Sequence, residues 1–330
     1  MHDDGNGLVA AGEQSIVRKN TEHPYGSEYA NPPGKLLATH LAAREMSQAE
    51  CARRCGRSPK LISEIVSGKA PIQPETALQL ERVLGLRSNV WLGIENDYRL
   101  RLVRKAEAER AKANRDWLES FPLPALIERG VLEERTSLAE SLDDLLAFFG
   151  VGSIAAWEAW HSAVLARMRH AAGPGVDQKA LATWLRLGDL AADEIRCDEY
   201  DGRAFREALR VLSRSIRRSR DGSLDRAGEL CQAAGVALVL IDPLPGAPVT
   251  GAARWITPRK ALVQLAGRNP RGDRFWLGLF HAAGHLLLHS KRCVFVESDG
   301  LRRESGGATG DTGEIEAQAH AWAAKLLSVT

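Results

Sequence analysis

Hydrophobic and polar positions along this chain follow two periods, and the change between them comes late. From residue 33 to about 234 apolar side chains recur three and four apart, the spacing of one helical face. Leu36, Leu37 and Leu41 mark a first helix over 34–44. Ser47 stands as N-cap of a second, Glu50 follows at capping-box spacing, and Gly56 ends it. Ser58 and Pro59 then start a third helix, Lys60-Leu61-Ile62-Ser63-Glu64-Ile65-Val66, which stops at Ser67-Gly68. Residues 91–115 read as one long charged helix, with Arg99, Arg101, Arg104, Lys105, Arg110 and Lys112 interleaved with Glu95, Glu107 and Glu109. Phe121-Pro122-Leu123-Pro124 marks a boundary. Amphipathic faces follow at Leu142, Leu145 and Phe149, at Trp157 and Trp160, and at Trp184, Leu185 and Leu187. Ala172-Gly173-Pro174-Gly175 and Asp221-Gly222 punctuate them.

From Gly235 the period changes. Val236-Ala237-Leu238-Val239-Leu240-Ile241 reads as a buried strand ended by Asp242-Pro243, with further strands over 251–256 and 261–265. A helix follows with Trp276, Leu277, Phe280, Leu287 and Leu288 as its apolar stripe and Asp273 as N-cap. A last helix over 314–327 turns Ile315, Ala319, Trp322, Ala323 and Leu326 inward. The expected fold is mainly α with a small α+β domain. Its parts are a flexible tail over 1–30, a helix-turn-helix bundle with its connecting helix over 31–115, a helical middle region over 116–234 and a domain with a small sheet over 235–330.

Composition narrows the classes. The chain has 330 residues, 44% of them hydrophobic, enough for two or three cores. A net charge of +2 means that any nucleic-acid site is local. Met1-His2-Asp3-Asp4-Gly5 carries no signal-peptide pattern, and no apolar run has membrane-spanning length. Five scattered cysteines suit reduced thiols, so the expected location is cytoplasmic, away from membranes. Cys51 and Cys55 read as small buried hydrophobes, since no second ligand pair lies near them.

Two stretches carry chemistry. In the third helix Ile62, Ile65 and Val66 face inward, so Lys60, Ser63, Glu64 and Ser67 face outward, where base edges would lie. Gln48, Arg53, Arg57 and Lys69 are placed for phosphates. With Ser58 at the helix start, the expected DNA-binding residues are Gln48, Arg57, Ser58, Lys60, Ser63, Glu64 and Lys69. The second stretch is Phe280-His281-Ala282-Ala283-Gly284-His285-Leu286-Leu287-Leu288-His289. His281 and His285 are four apart, hence on one helical face and within reach of a single metal ion. His289 lies about 40° round from His285 and reads as a supporting or surface residue. Cys293 is either a packed cysteine or a removable fourth ligand.

Residues 32–115 resemble the Xre/Cro-type DNA-binding domains, most closely the HigA-type antitoxins. The likeness is carried by Ser67-Gly68-Lys69-Ala70-Pro71-Ile72, by Pro74-Glu75-Thr76-Ala77-Leu78-Gln79-Leu80-Glu81, and by Trp91-Leu92 through Tyr98. It implies double-stranded operator DNA as partner and a homodimer; the helix over 91–115 reads as a solvated connector, with a dimer contact around Trp91, Leu92 and Tyr98 as the alternative. The two-histidine stretch resembles the HExxH zinc peptidases, specifically the ImmA/IrrE metallo-endopeptidases, and makes residues 235–330 a zincin-like domain. That resemblance implies Zn2+ as cofactor and Glu316, directly before Ala317, as third ligand, with Glu314 as fallback. A carboxylate set beside Ala319 and Ala323 is costly unless paired or metal-bound. It also implies that Gly251, Ala252, Ala253 and Arg254 receive an extended substrate by strand addition. The middle region is similar to its counterpart in long HigA-like proteins fused to such a domain.

One position departs from the pattern. Ala282 stands where the family has the general-base Glu, which takes a proton from metal-bound water and passes it to the leaving amine. The chain is therefore either a natural pseudo-protease or an inactivated variant. The resemblance implies a DNA-binding regulator whose zinc endopeptidase domain cleaves a repressor, an antitoxin or itself on a signal, catalytically silent with Ala282. The alternative is a non-enzymatic HigA-like antitoxin or repressor whose peptidase-like domain binds a toxin or ligand.

Overall fold

The computed structural model describes residues 32–169, 176–219, 221–266, 272–298 and 311–328. The expected tail over 1–30 and the turn at 172–175 lie outside them. The elements run α1 (Pro33–Ala42), α2 (Gln48–Cys55), α3 (Pro59–Val66), α4 (Pro74–Leu84), α5 (Ser88–Ala113), α6 (Arg115–Glu119), α7 (Leu123–Glu128), α8 (Leu138–Phe149) and α9 (Ile154–Arg167). They continue with β1 (Met168–Arg169), α10 (Gln178–Glu194), α11 (Gly202–Arg218), α12 (Ser223–Gln232), β2 (Val236–Leu240), β3 (Val249–Thr257) and β4 (Lys260–Leu265). α13 (Asp273–Leu288), β5 (Val294–Ser298) and α14 (Asp311–Ser328) complete them. Contacts divide the chain into two compact units, the division falling between Arg115 and Asp116. The molecule is mainly helical with one small mixed sheet.

In the first unit, local chemistry sets the helix ends. Ser47 Oγ accepts the Glu50 amide at 3.1 Å, and Ser58 Oγ accepts the Leu61 amide at 3.2 Å. Gly56 ends α2 at φ 63°, a left-handed conformation that costs glycine little. Only half of the expected capping box forms, because the Glu50 carboxylate turns to Arg53 and Arg54. Leu37, Cys51, Cys55, Ile62, Ile65, Leu80 and Trp91 close the core. Both cysteines are buried, and burial pushes the Cys51 thiol up to about 12, as expected of packed, unreactive sulfur. Trp91 is fully buried, so it cannot form the dimer contact the sequence suggested. Glu95, read as one of the solvated charges of the long helix, is also buried. It accepts the Ile72 amide at 3.0 Å and Arg99 Nε at 2.6 Å, fastening the loop between α3 and α4 to α5.

The second unit is built on a five-stranded sheet of order β1-β5-β3-β4-β2. β3 is antiparallel to β4 and β5, while β2 and β1 join as parallel outer strands. Alternate side chains separate its faces. Val236, Leu238, Ala253, Ala261, Val263 and Phe295 pack into one core with α11, α12, α13 and α14. Arg254 and Gln264 point the other way, to the backbone of α10. Of the helices expected as a middle region, α10 lies on one face of the sheet, and α11 and α12 pack on the other. On the α10 face Arg254 bonds Asp189 at 2.7 Å, Gln264 at 2.8 Å and the Leu185 carbonyl at 2.6 Å. Gly188 is required here, because a Cβ would stand 1.9 Å from Gln264 Oε1.

Candidate functional site

The DNA-facing side of the first unit follows from α2 and α3. Ile62 and Ile65 are buried, and Gln48, Ser58, Lys60, Ser63 and Lys69 are exposed, as the helical pattern required. Lys60 and Glu64 form an ion pair at 3.8 Å on this surface. Arg57 is only half-exposed, with Nε on Gln79 Oε1 at 2.6 Å and Nη2 on Glu75 at 3.3 Å. It braces the turn between α2 and α3 against α4. A phosphate contact from Arg57 would share a guanidinium already engaged.

The second site lies where α13, α14 and β5 meet. The helix begins at Asp273 itself, so the N-cap is Gly272, one residue earlier than expected. His281 and His285 are both buried, with ring centroids 4.8 Å apart. Glu316 comes to both: its Oε2 is 3.1 Å from His281 Nε2 and its Oε1 3.1 Å from His285 Nε2. This approach depends on Gly284, between the histidines. A Cβ there would meet the Ala319 backbone at 3.2–3.3 Å and Trp322 at 3.3 Å, so glycine lets α14 close onto α13.

The outer nitrogens of the same rings are held separately. His281 Nδ1 lies 2.7 Å from Glu297 Oε1, and His285 Nδ1 lies 3.1 Å from His289 Nδ1. Phe295, two residues before Glu297, stacks on the His285 ring at 4.1 Å and 16°. Positions 295 and 297 lie on one face of β5, so a single strand orients both rings. No strand was expected at 294–298, although Val294-Phe295-Val296 is an apolar β-branched and aromatic run that could have signalled one.

The imidazoles and carboxylates of the site shift one another's titration. Burial would lower the His281 imidazole, but the Glu297 and Glu316 carboxylates outweigh it and push it up to about 9. Burial opposes ionisation of Glu316, yet the two imidazoles hold its carboxyl well below the ordinary range. His289 is lowered, first by burial and then by the neighbouring His285.

A zinc site needs deprotonated nitrogen and oxygen donors converging from a tethered set. His281 Nε2 and His285 Nε2 are buried and lack an aligned hydrogen-bond partner, although a Glu316 oxygen stands near each. Their 3.1 Å separations approach the roughly 3.3 Å between ligand atoms around a tetrahedral zinc. His281, His285 and Glu297 also offer donor atoms within 4.8 Å of one another. Glu297 is better read as an outer partner, because it faces Nδ1 of His281 while Glu316 faces both Nε2 atoms. The residues present therefore fit a zinc ion.

Other expected site residues fall elsewhere. Glu314 is exposed and bonds Gln318, away from the imidazole nitrogens. Cys293 packs against the hydrophobic core. Ala282 is 1% exposed, a methyl group in the core cluster. The strand-addition assignment of Gly251, Ala252, Ala253 and Arg254 is corrected by the register. Gly251, Ala252 and Ala253 pair with β4 on one side and β5 on the other, and Arg254 pairs with Leu262 and is buried. From Gly251 to Ala253, where both ladders are filled, β3 has no edge to offer a peptide.

Comparison with known proteins bears on the first unit. A helix-turn-helix family profile matches residues 39–91. The HTH-type transcriptional regulator YddM of Escherichia coli K12, itself uncharacterised, is 33% identical over 78 residues, covering 24% of this chain and 78% of that protein. An addiction-module antidote protein of the HigA family from Coxiella burnetii is similar at 24% identity and a TM-score of 0.24, over 26% of this chain and 92% of its own. Pseudomonas aeruginosa antitoxin HigA, solved with the higBA promoter, gives 24% and 0.23, over 24% and 90%. With its caps, turn and buried face in place, and with most of the length of a regulator matched, the chain belongs through its N-terminal unit to the helix-turn-helix family of DNA-binding transcriptional regulators.

Proposed function

We propose that this regulator carries, in its second unit, a zinc centre of the metallopeptidase type, made of His281, His285 and Glu316 and silenced by Ala282. The observation that carries the reading is the pair of 3.1 Å approaches of one carboxylate to two buried imidazole nitrogens. Zinc, when bound, supplies a Lewis acid and lowers the pKa of a coordinated water. The chain's own residues do the rest. Glu297 holds the Nδ1 proton of His281 and presents Nε2 as a lone pair, and Phe295 fixes the His285 ring plane. Ala282 offers no oxygen to accept a proton or to return one to a leaving amine. Substrate is held and not turned over.

In this reading the first unit binds its operator as a homodimer, with Lys60 and Ser63 at base edges. The second unit recognises a protein of the repressor or antitoxin class, or another copy of this chain. Metal analysis of the purified full chain tests the centre: about one zinc per chain is expected, lost in His285→Ala. Wild-type protein devoid of zinc after purification without chelator would sink it. Ala282→Glu, incubated alone and with candidate partners, then tests the chemistry, with zinc-dependent cleavage as the expected outcome. Ala282 itself favours a second reading, a non-enzymatic repressor or antitoxin whose zinc-bearing domain only binds a toxin. That reading predicts zinc and partner binding in both forms and cleavage in neither.

A further inference from the structure

One helix of the second unit carries a charge pattern that neither the DNA-reading surface nor the metal centre uses. On α11, Arg203, Arg206, Arg210, Arg214, Arg217 and Arg218 recur three, four, four, three and one apart. At 100° per residue they fall within a sector of about 120°. The opposite face is Phe205, Leu209, Leu212 and Ile216, all buried in the core. From Arg203 to Arg217 the stripe runs about 21 Å. The sector holds one carboxylate, Glu207, which pairs with Arg210 at 3.1 Å. Arg217 is held by Ser213 Oγ at 2.9 Å and the Leu326 carbonyl at 3.0 Å. Arg203, Arg206 and Arg214 form no ion pair with any described residue.

A merely solvated helix face interleaves both signs, as α5 does with Glu107 and Glu109 among its arginines and lysines. A stripe of one sign repels itself, and a polyanion laid along it offsets that cost. Every cation here is arginine, whose planar fork matches phosphate oxygens in pairs. The same chain carries a helix-turn-helix unit, so a DNA backbone is already at high local concentration. About 21 Å along a duplex covers roughly six base steps at 3.4 Å per step and strand.

We propose that the arginine stripe of α11, led by the exposed Arg203, Arg210 and Arg214 and the half-buried Arg206, is a second DNA contact that grips the phosphate backbone without reading sequence. It needs no zinc and no peptidase activity, so it stands or falls apart from the proposed function.

The test compares full-length wild type with the quadruple variant Arg203→Gln, Arg206→Gln, Arg210→Gln and Arg214→Gln. Each is titrated against a duplex of arbitrary sequence about 30 base pairs long, across a salt series. Each phosphate contact contributes about 0.9 to the slope of log affinity against log salt. The variant's slope is expected to fall by about three to four. A fall smaller than one contact's worth, about 0.9, overturns the proposal. The four-lysine variant keeps the charge and is expected to restore the slope, whereas failure to restore it shows a structural defect and overturns the assignment. Equal melting temperatures of wild type and the glutamine variant exclude unfolding as the cause. If the glutamine variant loses slope only on promoter DNA and not on arbitrary sequence, the stripe acts through the reading domain, and the proposal fails.

Discussion

Take the metal-free protein through a pH titration. His281 has an ordinary pKa of 6.5 and is pushed up to about 9 in the fold. A group raised in the folded state contributes stability that is fully present below its unfolded pKa and is lost as pH rises through the folded one. At 1.36 kcal/mol per pH unit, the interval from 6.5 to about 9 is worth about 3 kcal/mol. Glu316 has the opposite sign. Its carboxyl is depressed below 4.5, so its contribution is present above that pH and fades as pH falls. The chelator-treated protein should therefore lose about 3 kcal/mol of site stability between pH 6.5 and 9.5, read by urea denaturation at each pH. His281→Gln removes the titrating group and should flatten that decline, whatever it does to stability overall. Saturating zinc should abolish the decline too, since the metal takes the neutral imidazole. Parallel pH profiles for wild type and His281→Gln would refute the account, and with it the argument that Glu297 and Glu316 outweigh the burial of His281.

Two further outcomes follow from single contacts. Glu297→Gln leaves all three proposed ligands in place, yet zinc affinity measured by chelator competition should drop about 10–100-fold; unchanged affinity would make the 2.7 Å contact to His281 incidental. Gly188→Ala should lower stability by roughly 2–4 kcal/mol, because the new methyl displaces Gln264 and strips a partner from buried Arg254, and a thermal melt within a degree or two of wild type would contradict this.

Much of the first unit was legible from residues alone. Ser47, Gly56, Ser58 and Pro59 act within three or four positions of themselves, so a local pattern sufficed to place α2 and α3. What it missed there were partners distant in sequence. Glu95 satisfies an amide 23 residues away, and Arg57 is spent on a residue 22 positions along. Neither shows in a helical period, which records only which side of a helix is apolar.

In the second unit the pairing of His281 with His285 was readable, since four residues of helix bring them together whatever surrounds them. The approach of Glu316 was expected only through family likeness; its physical cause is Gly284, which lets α14 close in. β5 was signalled only by the short run Val294-Phe295-Val296 and went unassigned, and with it the two side chains that orient the rings. The position of β3 was misjudged for the same reason. A strand's sequence fixes which residues alternate, but whether it is an edge depends on strands arriving from elsewhere, and β5 arrives from beyond α13. Sequence alone determined the local elements and the two reactive imidazoles. The tertiary structure decided which carboxylate meets them and which strand edges are already filled, because those outcomes rest on contacts between segments far apart in the chain.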